Sequence, residues 1–277
     1  MKVAYQGVRG AYSEAALVSH FGPEVEPVGF AFSEQVFDAV ESGEAGLGFV
    51  PVENSIAGSV GANTDLLLER KVFAVAESYL PIEHCLLGRP GSRLEDVKSV
   101  RSHPIALAQC RNFLNARGLL AVPEYDTAGS AEMVAARGTP GEAAIASRRC
   151  ASVYGLVVLA ENIASAAVNI TRFLAFARPQ DVPAGLAREK TSLAFSVHHR
   201  PGALLECLKL FADHAINLTK LESRPIASNP FEYSFFVDFL GGTEDVAAKA
   251  ALAELALSAR HVKILGSYPL AARPAGK

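Results

Sequence analysis

The chain has 277 residues, half of them apolar and a fifth charged, with a formal net charge of −3. This is enough apolar material for one large globular domain or two ordinary ones. The scattered, slightly acidic charge gives no electrostatic ground for binding nucleic acid or an anionic membrane, and no apolar run reaches the roughly 18 residues that a membrane span needs.

The first part of the chain alternates strand and helix patterns. Residues 3–6 read as a short strand, followed by Gly7 and Gly10 and a helical pattern over 13–21. A strand over 25–30 leads to Ser33, which is expected to cap a helix over 34–42. An apolar strand over 46–52 ends in Pro51-Val52-Glu53-Asn54-Ser55, and a helix over 60–69 precedes strands over 71–80 and 84–88. The rhythm then repeats: strand 97–102, helix 104–116 with Pro104 in its first turn, strand 119–125, helix 130–137, strand 143–146, helix 148–154 and strand 157–159. Such alternation predicts an α/β architecture with mainly parallel strands. Small polar residues recur at strand ends (Asn54-Ser55, Ser102-His103, Thr127), where open α/β sheets collect their ligands.

A composition break follows. Residues 178–185 hold two prolines and a glycine without apolar periodicity and read as a linker. Beyond it come strand 191–198, helix 202–214, strands 216–225 and 231–240, helix 243–259 and strand 262–265. That order, β-α-β-β-α-β, is the ferredoxin-like arrangement. The domain expectation is therefore 1–178, a linker over 179–189 and a second domain over 190–270.

Four cysteines, Cys85, Cys110, Cys150 and Cys207, form no CxxC pair, and the histidines lack zinc-ligand spacing. Free thiols are expected, with Cys110 on an apolar helix face as a core residue. Residues 1–5 run straight into a strand pattern without signal-peptide character, so a cytoplasmic location is the expectation.

The stretch Asn169-Ile170-Thr171-Arg172-Phe173 sets a hydroxyl, a cation and an amide inside an apolar strand pattern. A charge buried there needs a partner, which is either an anionic ligand or an internal carboxylate. In an extended strand Thr171 and Phe173 share one face and Arg172 takes the other. Asn54 and Ser55 suit either an anion contact or a helix cap. Gly7 and Gly10 suit a turn with or without amides open to an anion. They are not a dinucleotide fingerprint, because the third glycine and the following acidic residue are missing. Ser13, Thr127 and Ser130 are ligand contacts or caps. Ser102-His103 invites a nucleophile–base reading, but strand neighbours face opposite ways and no Gly-x-Ser-x-Gly elbow exists, so hydrolase chemistry is rejected.

Several motifs coincide in order: Gly7-Val8-Arg9-Gly10-Ala11-Tyr12-Ser13-Glu14, Val50-Pro51-Val52-Glu53-Asn54-Ser55, Ser102-His103-Pro104 with Ala108-Gln109-Cys110, Asp126-Thr127-Ala128, and Asn169-Ile170-Thr171-Arg172-Phe173. With these the chain resembles the prephenate dehydratase family, in the form of a catalytic region followed by an ACT module. Ile105 stands where that family usually carries a polar residue.

The resemblance implies a two-lobed, periplasmic-binding-protein-like catalytic domain and a reaction that takes prephenate to phenylpyruvate with loss of carbon dioxide and water. It implies no cofactor and no metal. Thr171, Asn54 and Ser55 are the implied catalytic residues, and Arg172, Phe173, Ser13, Ser102, Thr127 and Ser130 the implied substrate contacts. In the ACT module, Gly202, Ala203, Leu204 and Leu205 and then Asn217, Leu218, Glu222, Ser223, Arg224 and Pro225 resemble the two effector motifs, with L-phenylalanine as inhibitor and a homodimer or homotetramer as the assembly. Independently of the family, Glu222 and Arg224 share a strand face and suit a surface ion pair. Two rival readings stand beside this one: arogenate dehydratase, and a phenylalanine sensor without catalysis.

Overall fold

The computed structural model describes residues 1–226 and 229–274. The chain runs β1 (Lys2–Gln6), α1 (Tyr12–Phe21), β2 (Glu26–Phe30), α2 (Ser33–Ser42), β3 (Leu47–Asn54), the two-residue β4 (Gly58–Ser59), α3 (Gly61–Glu69) and β5 (Phe73–Pro81). Next come β6 (Cys85–Gly88), β7 (Ser99–Ser102), α4 (Pro104–Gln109), α5 (Arg111–Ala116), β8 (Leu120–Pro123), α6 (Thr127–Arg137), β9 (Glu142–Ala146), α7 (Arg148–Tyr154), β10 (Val157–Ala160) and β11 (Ile170–Ala177). The last stretch holds β12 (Lys190–Ser196), α8 (Ala203–Asp213), β13 (Leu218–Ile226), β14 (Asn229–Leu240), α9 (Val246–Ser258) and β15 (His261–Tyr268). Among the described residues no helix is long and apolar enough to cross a membrane. Two compact units form, one of Met1–Val60 with Ser78–Phe173, the other of Gly61–Glu77 with Leu174–Ala272.

The first unit is α/β with two sheets. In one, β1 lies parallel to both β2 and β3, pairing Val3 with Pro27 and Tyr5 with Phe49, and β11 neighbours β3. The other has the order β10-β6-β9-β7-β8. Here β7 runs parallel to β8 and β9, while β6 is antiparallel to β9 and β10. The second sheet is buried on both faces. Leu86, Val100 and Ile145 pack with Cys110 and Leu114 on one side, and Leu87 and Ala144 pack with Ala128, Ala131, Val134 and Cys150 on the other. Adjacent residues on a strand face opposite ways, so these short strands read as continuous apolar runs.

Helix α6 begins earlier and α9 later than expected, and two further helices differ in how they are capped or divided. Ser33 is the first residue of α2 rather than its cap; the Ser33 hydroxyl donates to Gln6 Oε1 (2.8 Å), and Gln35 Oε1 reaches back to accept from the Phe32 amide (3.1 Å). The span expected as one helix from Pro104 divides at Cys110 (φ −102°, ψ 14°), whose amide is shared between the carbonyls of Ala106 and Leu107.

The second unit carries the expected β-α-β-β-α-β order, with strands arranged β13-β14-β12-β15. Leu193, Phe195, Val237 and Phe239 of the sheet pack with Cys207 and Phe211 of α8 and Leu255 of α9. The start of β5 joins this sheet beside β15, where Gly266 faces Ala74; a Cβ on Gly266 would lie 2.4 Å from the Ala74 carbonyl oxygen, so only glycine fits. Helix α3 belongs here as well. Lys263 Nζ donates to the carbonyls of Leu67 (3.0 Å), Leu68 (2.6 Å) and Arg70 (2.7 Å) at its C-terminal end, where a cation suits the helix dipole. The buried Lys190 ammonium pairs with buried Glu77 at 2.7 Å.

Candidate functional site

Placing β11 beside β3 sets Asn54 against the polar stretch 169–171. The Asn54 side chain is pinned from behind, because its Oδ1 accepts from the amides of Ile56 (3.0 Å) and Ala57 (2.9 Å) in the turn after β3. Its Nδ2 donates to Asn169 Oδ1 (2.7 Å) and to Thr171 Oγ1 (2.9 Å). Asn169 Nδ2 donates to Gln109 Oε1 (3.0 Å), and Gln109 Nε2 reaches Asn54 Oδ1 (3.4 Å). Gln109 Oε1 also lies 2.7 Å from His84 Nε2, and His84 Nδ1 lies 2.9 Å from the Tyr12 hydroxyl. Burial drives the His84 pKa down against the smaller, opposing effect of its Gln109 contact, and burial drives the Tyr12 hydroxyl well up.

This network forms part of the wall of a cavity of about 480 Å³, lined among others by Tyr12, Ser13, Asn54, His84, Gln109, Thr127, Thr171 and Phe173. Its apolar surface comes from Pro51, Ile82, Ala106 and Phe173, and Phe173 is in turn stacked on Phe49 (centroids 5.1 Å apart, planes 7° apart). Ile105, at the position where a polar residue was expected, is exposed and lines the cavity too.

The strand parity predicted for 171–173 holds. Thr171 and Phe173 face the cavity, while Arg172 is buried away from it with its guanidinium 3.8 Å from Glu53. Arg172 thus does not line this cavity; of the two partners weighed for it, the internal carboxylate is the one beside it. Ser55 also leaves the cavity. Its amide donates to the Ile170 carbonyl (2.8 Å) and its Oγ accepts from the Ile170 amide (2.9 Å), so it clamps the start of β11.

The other expected contacts divide in the same way. Ser13, in the first turn of α1, lines the cavity. Ser102 does not: it is fully buried and donates to the Ile145 carbonyl (2.7 Å). Its neighbour His103 lines the cavity and caps α4, Nδ1 accepting from the Ile105 amide (3.2 Å). Thr127 opens α6 and lines the cavity, whereas Ser130 is buried one turn on and donates to the Asp126 carbonyl (2.6 Å). The cap of α6 is Asp126, whose carboxylate accepts from the Gly129 amide. The Gly7 and Gly10 turn is occupied internally. The Gly7 amide donates to the Phe30 carbonyl (2.8 Å) and the Gly10 amide to Glu14 Oε2 (2.5 Å), so neither amide is offered to an anion. Burial pushes Cys110 up to about 12 and Cys150 up to about 11, which removes both as thiolate nucleophiles near neutral pH.

Tyr12, His84 and Gln109 were not singled out as site residues. For Gln109 a signal existed, since it lies three residues after Ala106 on one helical face and both line the cavity. His84 sits in an apolar strand context, where a satisfied core histidine reads the same.

In the second unit a cavity of about 320 Å³ is lined by Gly202, Ala203, Leu204 and Leu205 together with His198, Arg200, Glu232 and Tyr233. Gly202 has φ +82°, a left-handed conformation; a Cβ there would meet nothing nearer than Glu206 Oε1 at 3.8 Å. Backbone handedness is what glycine supplies within this chain. Asn217, Leu218, Glu222, Ser223, Arg224 and Pro225 do not line this cavity. Arg224 binds Asp65 of α3 (Nη2–Oδ2 2.5 Å) and Glu222 lies 3.1 Å from Lys220 Nζ, so the expected Glu222–Arg224 ion pair is replaced by two others.

Residues 3–181 match the family described as prephenate dehydratase, and residues 191–257 match the ACT domain. The chain is 42% identical over 284 residues to "Arogenate dehydratase/prephenate dehydratase 1, chloroplastic" of Arabidopsis thaliana, covering 98% of this chain and 72% of that one. Among solved structures it is similar to the prephenate dehydratase of Arthrobacter aurescens in complex with L-Phe (TM-score 0.88, 33% identity, 97% of this chain and 89% of that one). It is also similar to GqqA, described as a novel type of quorum quenching acylase (TM-score 0.88, 37% identity, 98% of each chain). The motifs, the fold and these matches together make the chain a member of the prephenate dehydratase family, with an ACT domain after the dehydratase region.

Proposed function

We propose that the protein catalyses the decarboxylating dehydration of prephenate to phenylpyruvate and that L-phenylalanine inhibits it through the ACT domain. In this reaction the bond from the ring to its carboxylate breaks, and that electron pair enters the ring as carbon dioxide leaves. The ring in turn expels its hydroxyl, which departs as water after gaining one proton. The observation that carries the reading is the Asn54–Thr171 contact. Thr171 Oγ1 accepts from Asn54 Nδ2 at 2.9 Å on the cavity wall, so the hydroxyl has its own hydrogen to direct at the leaving oxygen. A threonine hydroxyl is a weak acid; its role is to stabilise the departing oxygen by a preorganised hydrogen bond and to relay the proton. Donation into Oγ1 polarises the O–H bond in that sense.

The substrate carries two carboxylates. The side chain to be retained faces the first turns of α1 and α6, where Ser13 and Thr127 offer hydroxyls at the positive ends of two helices. The carboxylate to be lost faces Pro51, Ile82, Ala106 and Phe173, apolar surface that favours neutral carbon dioxide over the anion. Acyl hydrolysis, the activity named for GqqA, is the weaker reading: Ser102 is bonded inside the sheet, and His84 is engaged by Tyr12 and Gln109 rather than by a nucleophile. Arogenate, which bears an amine in place of the keto group, is the second substrate reading. It is supported by the names of the plant relatives and by the Asp126 carboxylate on the cavity wall.

In the ACT domain the first effector motif lines a cavity that the second does not reach within one chain. An L-phenylalanine site using both motifs takes one from each of two chains, so the assembly is a homo-oligomer, most simply a symmetric dimer. The test is formation of phenylpyruvate from prephenate and of phenylalanine from arogenate, the former assayed with and without L-phenylalanine. Turnover suppressed by phenylalanine is the expected result. Absence of turnover of either substrate, with phenylalanine still bound, would replace this reading with that of a sensor.

A further inference from the structure

The donors and acceptors in the wall network are not free to choose. Backbone amides only donate, so the two amides of Ile56 and Ala57 fix Oδ1 as the Asn54 atom that faces them. Nδ2 must then face Asn169 and Thr171. Asn169 presents its oxygen to Asn54 and its NH₂ to Gln109, so Gln109 presents Oε1 towards His84. The nitrogen facing that oxygen has to carry a hydrogen, which in a neutral ring leaves Nδ1 as an acceptor; the Tyr12 hydroxyl, 2.9 Å from Nδ1 and 2.9 Å from the Glu83 carbonyl, has one hydrogen for the two of them. Reversing the Gln109 amide would set its NH₂ against that of Asn169, and an Nε2 without a hydrogen would face the Gln109 oxygen lone pair to lone pair.

We infer that His84 is a positioning residue for the dehydration step, held as the Nε2–H tautomer, whose single donated hydrogen bond orients Gln109 and through Asn169 and Asn54 keeps the Thr171 hydroxyl aimed at the leaving oxygen. This rests on the reading of Thr171 as the hydroxyl that meets that oxygen. His84 sits between Tyr12 and Gln109, two separate helices of the first unit, and its ring is held edge-on to Tyr12 with centroids 5.6 Å apart. It touches the reacting hydroxyl only through three amide side chains. Its loss is therefore expected in turnover rather than in substrate affinity.

Two measurements test the inference. The first is the ¹⁵N spectrum of the imidazole groups in the wild-type protein near pH 7.5, with His84→Gln used to assign the His84 signals. The expected result is an Nε2–H tautomer at His84; an Nδ1–H tautomer overturns the inference. The second is a comparison of His84→Gln and His84→Asn. A glutamine amide nitrogen reaches the place of Nε2 and restores the donor to Gln109, whereas asparagine is too short and reaches only the place of Nδ1. The expectation is that His84→Gln keeps kcat within about threefold of wild type, that His84→Asn loses at least about tenfold in kcat with KM changed less than about twofold, and that both keep the wild-type circular dichroism spectrum. Equal kcat in the two variants, or a loss carried by KM, overturns it. The tautomer needs no turnover, so failure of the dehydratase reading and failure of this inference are distinguishable.

Discussion

The side-chain amide of Asn54 donates to the hydroxyl oxygen of Thr171 across 2.9 Å, from a position 117 residues earlier in the chain. The contact exists because β3 and β11 are neighbours in one sheet and because the turn after β3 spends the other end of the amide on two backbone donors. If the pair works as a unit, their substitutions are not additive. Asn54→Ala is expected to lower kcat by about tenfold or more, the scale of one lost hydrogen bond at a polarised group. In Thr171→Ala the same change should then cost little further. A double-mutant cycle in kcat, with circular dichroism to confirm folding, checks this.

Arg224 and Glu222 lie outside the cavity that the first effector motif lines. Arg224 is engaged with Asp65, and its guanidinium packs so close over Gly61 that a Cβ there would lie 2.4 Å from it. Arg224→Ala and Glu222→Ala are each expected to weaken inhibition by L-phenylalanine at least several-fold while leaving activity without effector intact. Asp65→Asn, which lets go of the guanidinium, should shift the inhibition curve as well. The Arg224–Asp65 pair is about one-third exposed at both ends (32% and 38%), so its loss should cost stability at most about 1 kcal/mol. Inhibition curves and thermal unfolding separate the two effects; unchanged inhibition in both alanine variants would move the effector site elsewhere.

The Lys190–Glu77 pair is buried at both ends. Removing one partner leaves an uncompensated charge in the core, which costs about 3–5 kcal/mol. Lys190→Met should therefore lower the unfolding midpoint in denaturant sharply. The double variant Lys190→Met with Glu77→Met should recover most of that loss, since the charge goes with its partner.

Burial lowers the folded-state pKa of His84 below the ordinary histidine value of 6.5. The unfolded chain then binds more protons than the folded one between the two values, so stability rises with pH there. The contribution is fully present above about pH 6.5 and is lost as pH falls through the folded-state value. Thermal unfolding scanned from pH 7.5 to pH 5 should show Tm falling with pH, and His84→Gln should make the fall shallower.

The alternation of strand and helix patterns was enough to read the α/β character of the first unit and the β-α-β-β-α-β order of the second, because both follow from local apolar periodicity. Period 2 likewise placed Thr171 and Phe173 on the cavity side and Arg172 away from it. What local pattern does not encode is which buried polar atoms meet. Ser102 and Ser130 read like Ser13 and Thr127, yet the first two are satisfied by the carbonyls of Ile145 and Asp126 and the last two line the cavity. Tyr12, His84 and Gln109 come together only through the packing of α1, α4 and the segment before β6. Helix α3 clusters with the second unit although it follows soon after the Asn54 turn, because Arg224 and Lys263, 159 and nearly 200 residues away, hold its middle and its C-terminal end.

The decisive measurement is the rate of phenylpyruvate formation from prephenate by the wild-type protein, Thr171→Ala and Thr171→Ser, each checked for native folding. Loss of a preorganised donor to the leaving oxygen should lower kcat about 10²-fold in Thr171→Ala, while Thr171→Ser, which keeps the hydroxyl, should stay within about tenfold of wild type. Near-wild-type turnover by Thr171→Ala would contradict the assignment of this hydroxyl to the dehydration step.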